Sequence, residues 1–304
     1  MDILPQLLTN GIITGSSVAL IAVGLSLIYG VLKFMNFAHG EFAMLGAYFY
    51  YYFFIVLSWS PVPSALLAIG LCATLGLLFN RLAFWPLRKE SQWTLLIMSV
   101  GVGMFMKNSV QLLGTGETRS YFREGYENTV YQLFGGNVII TSNQLFILLL
   151  SLFSVLGLFF LLKKTKLGKS IRALSDDQSL AAVVGINTRR TVDAIFLISS
   201  GLAAFAGILI TYENSLTVNM GQNLSILAFA AVVLGGLGSV PGALLGSFLL
   251  GILQELLTGI TIAGYGIPSG YKSLISFSLL ILFLLFRPRG LLGISLEEDK
   301  SQKA

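Results

Sequence analysis

The single histidine of this chain, His39, lies in the block Asn36-Phe-Ala-His-Gly-Glu41, set between long apolar runs. Ionisable groups in surroundings this apolar are costly to hold. They pair with one another, line a cavity or serve transport. At helical spacing Asn36, His39 and Gly40 fall on one face, at i, i+3 and i+4. Asn and His side chains can also bond to a neighbouring helix or to the freed backbone of a broken one. Three roles are therefore open for Asn36, His39 and Glu41: fixing a break in a helix, lining a substrate path, or relaying protons. No second histidine and no chain of carboxylates accompanies the block, as a relay would need.

Other chemistries find less support. A metal site needs several His, Cys or carboxylate ligands, and the chain has one His and one Cys, Cys72, in separate apolar runs. Nothing resembles a Gly-x-Ser-x-Gly nucleophile elbow, so a membrane-embedded hydrolase rests on His39 alone. Gly168-Lys-Ser170 looks like the end of a phosphate loop, but Lys163 stands where the first glycine belongs. Gly235-Gly-Leu-Gly-Ser-Val-Pro-Gly242 lacks the strand–turn–helix of a nucleotide site and reads as a broken helix or a tight turn. No catalytic residue, cofactor or metal is expected.

These residues must be positioned by elements that live in lipid. Of the 304 residues 55% are hydrophobic and 11% charged, against roughly 25% charged in a soluble domain. That composition excludes a disordered chain, a nucleic-acid-binding module and a disulfide scaffold. A spanning helix needs about 20 apolar residues. The apolar runs predict spans near 9–31, 36–58, 62–84, 92–113, 143–162 and 191–212, two runs within 224–258 and a last span near 270–286. The expected architecture is an all-α polytopic membrane protein of about 8–9 transmembrane helices, with one or two broken or re-entrant segments. Residues 1–304 form a single transmembrane domain. The first apolar run is read as a span and not as a removable signal, because no basic segment precedes it.

Small residues at four-residue spacing predict close helix contacts: Gly11, Gly15 and Ala19; Ser199, Ala203 and Gly207; Gly242 and Gly246. Ala43-Met-Leu-Gly-Ala and Ala243-Leu-Leu-Gly-Ser echo each other, as an internal repeat or as chance in apolar sequence. Of the 19 Lys and Arg, only Lys107, Arg119, Arg123 and Lys272 fall in one set of alternate loops. The rest lie in the other set, which predicts those loops in the cytoplasm, the N-terminus outside and the C-terminus inside. The basic stretch 163–190 interleaves Leu167, Ile171, Leu174, Leu180, Val183 and Val184 with polar residues. This is the pattern of an amphipathic helix that meets either lipid headgroups or a cytoplasmic partner.

Several blocks, in order and over nearly the whole chain, resemble the permease subunits of branched-chain amino-acid ABC importers. They are Gly15 to Gly30, Asn36 to Glu41, Met44 to Tyr48, Trp85-Pro-Leu-Arg88, Gly168 to Ala173, Ala181 to Asn187, Ala228 to Ala243 and Arg287 to Gly293. The Asn-Phe-Ala-His-Gly block is similar to the shorter of the two permease types. The resemblance implies a second, related permease, two cytoplasmic ATPase subunits, an extracytoplasmic substrate-binding protein and a bacterial inner-membrane location. ATP would then be hydrolysed by the partners, and this chain would form half of the pore. The ATPase-coupling loop would fall on Gly168, Arg172, Ala181, Ala182 and Gly185. Ser179-Leu-Ala-Ala-Val-Val-Gly185 is similar to the family's coupling signature but lacks its acidic residue and is one residue shorter. Importers of urea and short amides share much of this pattern. A proton-coupled secondary transporter using His39 and Glu41 is the competing class.

Overall fold

The computed structural model describes residues 3–114, 117–121, 128–133, 138–259, 261–262, 265–266, 272–286 and 290–292. Arg123, Arg287, Arg289, Lys300 and Lys303, which enter the charge count, lie outside them. Helix α1 (Leu4–Leu32) is followed by α2 (His39–Tyr51, with a π-helical turn Tyr52–Val56), α3 (Pro61–Phe79, with a π-helical turn Asn80–Phe84) and α4 (Gln92–Gly114). A hairpin of β1 (Val130–Leu133) and β2 (Val138–Thr141) precedes α5 (Ser142–Lys164). Two short helices, α6 (Lys166–Asp176) and α7 (Gln178–Val183), lead to α8 (Thr188–Thr211), α9 (Met220–Gly235) and α10 (Val240–Thr258). The strands β3 (Thr261–Ile262) and β4 (Tyr265–Gly266) and helix α11 (Lys272–Phe286) close the order.

Among the described residues six helices, α1, α3, α4, α5, α8 and α10, are long and apolar enough to cross a membrane. With the shorter α2, α9 and α11 they make an all-α membrane bundle, as expected. Helix α1 is its axis: from Ser16 to Ile28 every residue is buried. It packs on α10, α8, α9 and α5, while α2 lies against α8 and α9. The small residues allow this closeness. Gly11 and Gly15 meet the α10 backbone at Ile252 and Phe248, and Gly246 meets Ala231 of α9. Outward faces are apolar instead: Phe146, Phe153 and Phe160 of α5 are exposed, as a helix bathed in lipid requires.

The structure corrects two expectations and adds a detail to the all-α fold, a short β-hairpin in the polar stretch 114–142. Helix α1 begins at Leu4, with Pro5 in its first turn, so it starts about one turn earlier than the apolar run suggests. Helix α2 begins at His39, so Asn36 precedes it and shares no helical face with His39 and Gly40.

At the end of the bundle where α1 finishes, the π-helical turn of α3 aims Asn80 and Arg81 at Asp193 of α8. Asn80 Nδ2 donates to Asp193 Oδ1 at 2.7 Å, and Arg81 Nη2 and Nε donate to Oδ2 at 2.8 and 3.0 Å. Asn80 is fully enclosed. An Asp193→Ala protein is therefore expected to leave Asn80 unsatisfied and lose about 1–3 kcal/mol of stability. Thermal unfolding of the purified protein measures this, with Asp193→Asn as the milder comparison.

Candidate functional site

Helix α1 stops at Lys33, whose backbone is left-handed (φ 55°) and whose N–H bonds to Tyr29 O at 2.9 Å. The chain then turns back into the bundle without helical structure until His39, which reaches the carbonyl of Ile21. Leu32 lies eleven helical steps beyond Ile21 in α1, so the chain climbs about 16 Å at helical rise. Non-helical backbone at this depth is tolerable only if protein satisfies it. Phe37 N donates to Ser99 Oγ of α4 at 3.0 Å, and Ala38 N donates to Asn36 Oδ1 at 3.1 Å. Ser225 Oγ of α9 accepts from Gly40 N at 3.1 Å and donates to Phe37 O at 3.3 Å. Asn36 thus fixes the break through its own side chain.

His39 ties the start of α2 to the middle of α1. Its Nε2 lies 3.1 Å from Ile21 O, and since a carbonyl only accepts, Nε2 is the donor and carries the proton. Gly24 leaves room for the ring; a methyl there would sit 3.0 Å from Nε2. Glu41, in the first turn of α2, points its carboxylate at Gly221 in the first turn of α9, so the positive ends of two helices meet one acid. Asn36, His39 and Glu41 are 0%, 1% and 6% exposed. In this conformation they lie inside the bundle and not on an open wall. Asn36 Nδ2, His39 Nδ1, Glu41 Oε2, Ser26 Oγ and Ser199 Oγ have no hydrogen-bond partner among the described residues.

The basic stretch 163–190 forms two helices. Thr165 caps α6 by accepting from Gly168 N at 3.1 Å. Asp177 ends α6 and caps α7, accepting from the N–H groups of Ser179 at 2.7 Å and Leu180 at 3.0 Å. The Ser179 hydroxyl and those N–H groups hold the Asp177 carboxyl below its ordinary range, so the ionised cap persists to lower pH than a free aspartate would. Helix α6 buries Ile171 and Leu174 against the bundle. Ser175 Oγ donates to Gly30 O at 2.9 Å and Gln178 Nε2 donates to Val31 O, which bolts the pair to the end of α1.

The five coupling-loop positions divide. Gly168 is buried against the Leu162 carbonyl, where a methyl group would overlap. Arg172 donates to that same carbonyl and so closes the end of α5. Ala181 is buried. Ala182 and Gly185 are exposed, and Gly185 takes a φ of 89° that turns the chain into α8. Leu180, Val183 and Val184 of the same turn are 61%, 83% and 68% exposed, an outward apolar face on α7.

Several supporting residues were invisible to spacing arguments: Ser99, Gly221, Ser225 and the Asn80–Asp193 pair. Single serines and glycines in apolar runs look alike until the fold brings them to the break. The Gly235–Gly242 segment is a tight turn, as expected. Ser239 caps α10 by accepting from Gly242 N at 3.1 Å, and Leu291 N and Leu292 N donate to Leu234 O and Gly235 O at the end of α9.

A family model described as branched-chain amino acid transport system / permease component matches residues 7–284, which takes in the broken helix, the α6–α7 pair and all but the outer ends of α1 and α11. The chain belongs to this family. It is 33% identical to the high-affinity branched-chain amino acid transport system permease protein BraD of Pseudomonas aeruginosa, over 95% of each chain. It is 32% identical to the permease protein LivH of the same kind of system in Salmonella typhimurium, again over 95% of each chain. The permease protein LivM of Escherichia coli is 26% identical, over 91% of this chain and 68% of that protein. The length match with BraD and LivH agrees with the shorter permease type. As a member of this family the chain is a multi-pass membrane transport protein.

Proposed function

We propose that this chain is the membrane-spanning permease subunit of an ATP-driven importer for branched-chain or other neutral amino acids. The carrying observation is that the likeness to BraD and LivH covers 95% of each chain, and that the family match over residues 7–284 spans the α6–α7 pair as well as the helices of the bundle. Residues 1–304 act as one transmembrane domain forming half of the translocation pore, beside a second related permease. Two ATPase subunits hydrolyse ATP and an extracytoplasmic binding protein delivers substrate; this chain has no catalytic residue. Lys33, Arg81, Arg88, Lys89 and the α6–α7 pair gather at one end of the bundle, which supports placing that end, and the C-terminus, in the cytoplasm of a bacterial inner membrane with the N-terminus outside.

Asn36, His39 and Glu41 serve the mechanism as a buried hinge. An ATPase moving α6 and α7 pulls on the end of α1 through Ser175 and Gln178. His39 passes that movement to the start of α2 through Ile21. The unsatisfied polar atoms around the break favour a second arrangement that gives them partners, which is the physical requirement for a two-state element. A neutral amino acid crosses as a zwitterion, so the path needs a few polar groups rather than a fixed ion trap.

The test is uptake of labelled leucine, alanine and urea by the assembled transporter in vesicles. ATP-dependent leucine or alanine uptake is the expected result. Uptake of urea alone assigns the short-amide importer, and uptake driven by a proton gradient without ATP overturns the reading. In the same assay His39→Gln is expected to lower the rate without changing the shape of its pH profile. A wild-type step at about pH 5 to 8 that vanishes in the variant would show a proton relay instead.

A further inference from the structure

Three span ends meet at one level of the bundle. The apolar span of α3 ends at Phe84, that of α4 begins at Gln92 and that of α8 begins at Thr188. Trp85 is the first residue past the α3 span, where an amphipathic indole settles at a membrane–water boundary. Two arginines from different segments converge on it. The guanidinium carbon of Arg88 lies 3.8 Å from the Trp85 ring centroid, and that of Arg189 lies 5.6 Å away. Neither arginine has a carboxylate within ion-pair distance among the described residues. This contrasts with Arg81 a turn before, which is spent on Asp193.

Arg189 also sits in the first turn of α8, next to Arg190. Asn187 Oδ1 caps this turn by accepting from Arg190 N at 3.0 Å, but a cation there still opposes the helix dipole, and an anion held between the arginines would offset it. Beneath Trp85 and Arg88 the side chains of Leu32, Phe34, Asn80, Phe84, Leu95 and Val192 close on a void of only about 10 Å³, so the layer under the rim is closed packing. An exposed cationic rim around an aromatic ring, at the ends of three apolar spans, matches the negative head of an amphiphile.

We propose that Trp85, Arg88 and Arg189 form a binding site for the phosphate of an anionic phospholipid whose acyl chains stay in the surrounding bilayer. The arginines hold the phosphate, and Trp85 keeps the two guanidinium groups together on one ring. The site lies against Asn80 and Val192, the neighbours of Asp193, so a bound lipid braces α3 and α4 against the start of α8. The proposal concerns any anionic bilayer and does not rest on the transported substrate.

The full chain, alone and assembled with its partner subunits, is reconstituted in phosphatidylcholine vesicles with increasing phosphatidylglycerol. Trp85 serves as the reporter after Trp59→Phe and Trp93→Phe, and its quenching by acyl-brominated phosphatidylglycerol is compared with quenching by brominated phosphatidylcholine. Two unpaired arginines at headgroup level predict a preference for the anionic lipid on the order of ten-fold. In Arg88→Gln/Arg189→Gln the preference should fall to about one, with the fold intact because both side chains are exposed. Equal quenching by the two lipids, or a preference that survives the double substitution, overturns the proposal. Loss of the preference on adding glycerol 1-phosphate assigns the site to a soluble phosphate instead. A preference present in the isolated chain and absent from the assembled transporter assigns this surface to a protein partner.

Discussion

A Gly207→Leu permease is expected to fail to accumulate as a folded protein. Gly207 of α8 lies so close to the α2 backbone that even a methyl group would overlap the carbonyl of Ala43. Three residues earlier on the same face, Ala204 meets Gly46 of α2 in the same way. Within lipid little drives helices together except this closeness, so separating α2 from α8 removes what holds α2 in place. Overpacking of a well-filled site costs up to about 3 kcal/mol, and a backbone that cannot yield lies at the top of that range. A loss of this size is roughly a hundred-fold in the folded population. Gly70→Leu is the control: Gly70 is exposed and nothing lies within 4 Å of a β-carbon there, so it should be tolerated. Membrane yield and size-exclusion profile of the two proteins decide the matter. Equal behaviour would show that the α2–α8 contact is not close in the membrane.

Ala182→Glu is expected to uncouple the transporter. Ala182 is exposed, so the substitution leaves the bundle unaltered. It places a charge on the turn that presents Leu180, Val183 and Val184 outward. If an ATPase covers that face, the carboxylate is desolvated without a partner on docking, and an unpaired buried charge costs several kcal/mol. Uptake should fall at least ten-fold while membrane insertion stays normal and ATP hydrolysis continues without transport. Lys169→Glu, on the exposed side of α6, changes the charge more without touching that face and should matter less. Normal uptake by Ala182→Glu, or crosslinks from the ATPase only to other segments, would sink the assignment. The neighbour Ala181 gives a different result: it is buried, so Ala181→Glu should disturb the fold itself.

Both experiments depend on distinctions that the sequence shows only in part. Apart from the first turn of α1, hydropathy located the long spans to within a few residues, because lipid demands an unbroken apolar run and tolerates little else. The four-residue spacing of Gly11 and Gly15, and of Ser199, Ala203 and Gly207, announced helix faces meant for contact. The block from Asn36 to Glu41 stood out as a break, since no other polar cluster is so enclosed by apolar sequence. The Ser179 to Gly185 turn stood out by resemblance. These signals are local or periodic, and they survive without knowledge of partners.

What the sequence could not decide was which residues meet. Asn36 and His39 looked like neighbours on one helix; the fold puts Asn36 before the helix, capping Ala38, and sends His39 to Ile21. Gly221 and Ser225 carry no signal of their own, yet they receive Glu41 and the freed backbone because α9 starts beside α2. Ala181 and Ala182 are adjacent and identical in type; one is buried and one exposed only because α6 fixes the rotation of α7. Arg88 and Arg189 lie a hundred residues apart and share Trp85 because α3 and α8 end at the same level. Composition and periodicity fix which segments enter the membrane. The depth at which a chain turns back, and the rotation of each helix, are set by backbone contacts between distant segments, and only the tertiary structure holds those.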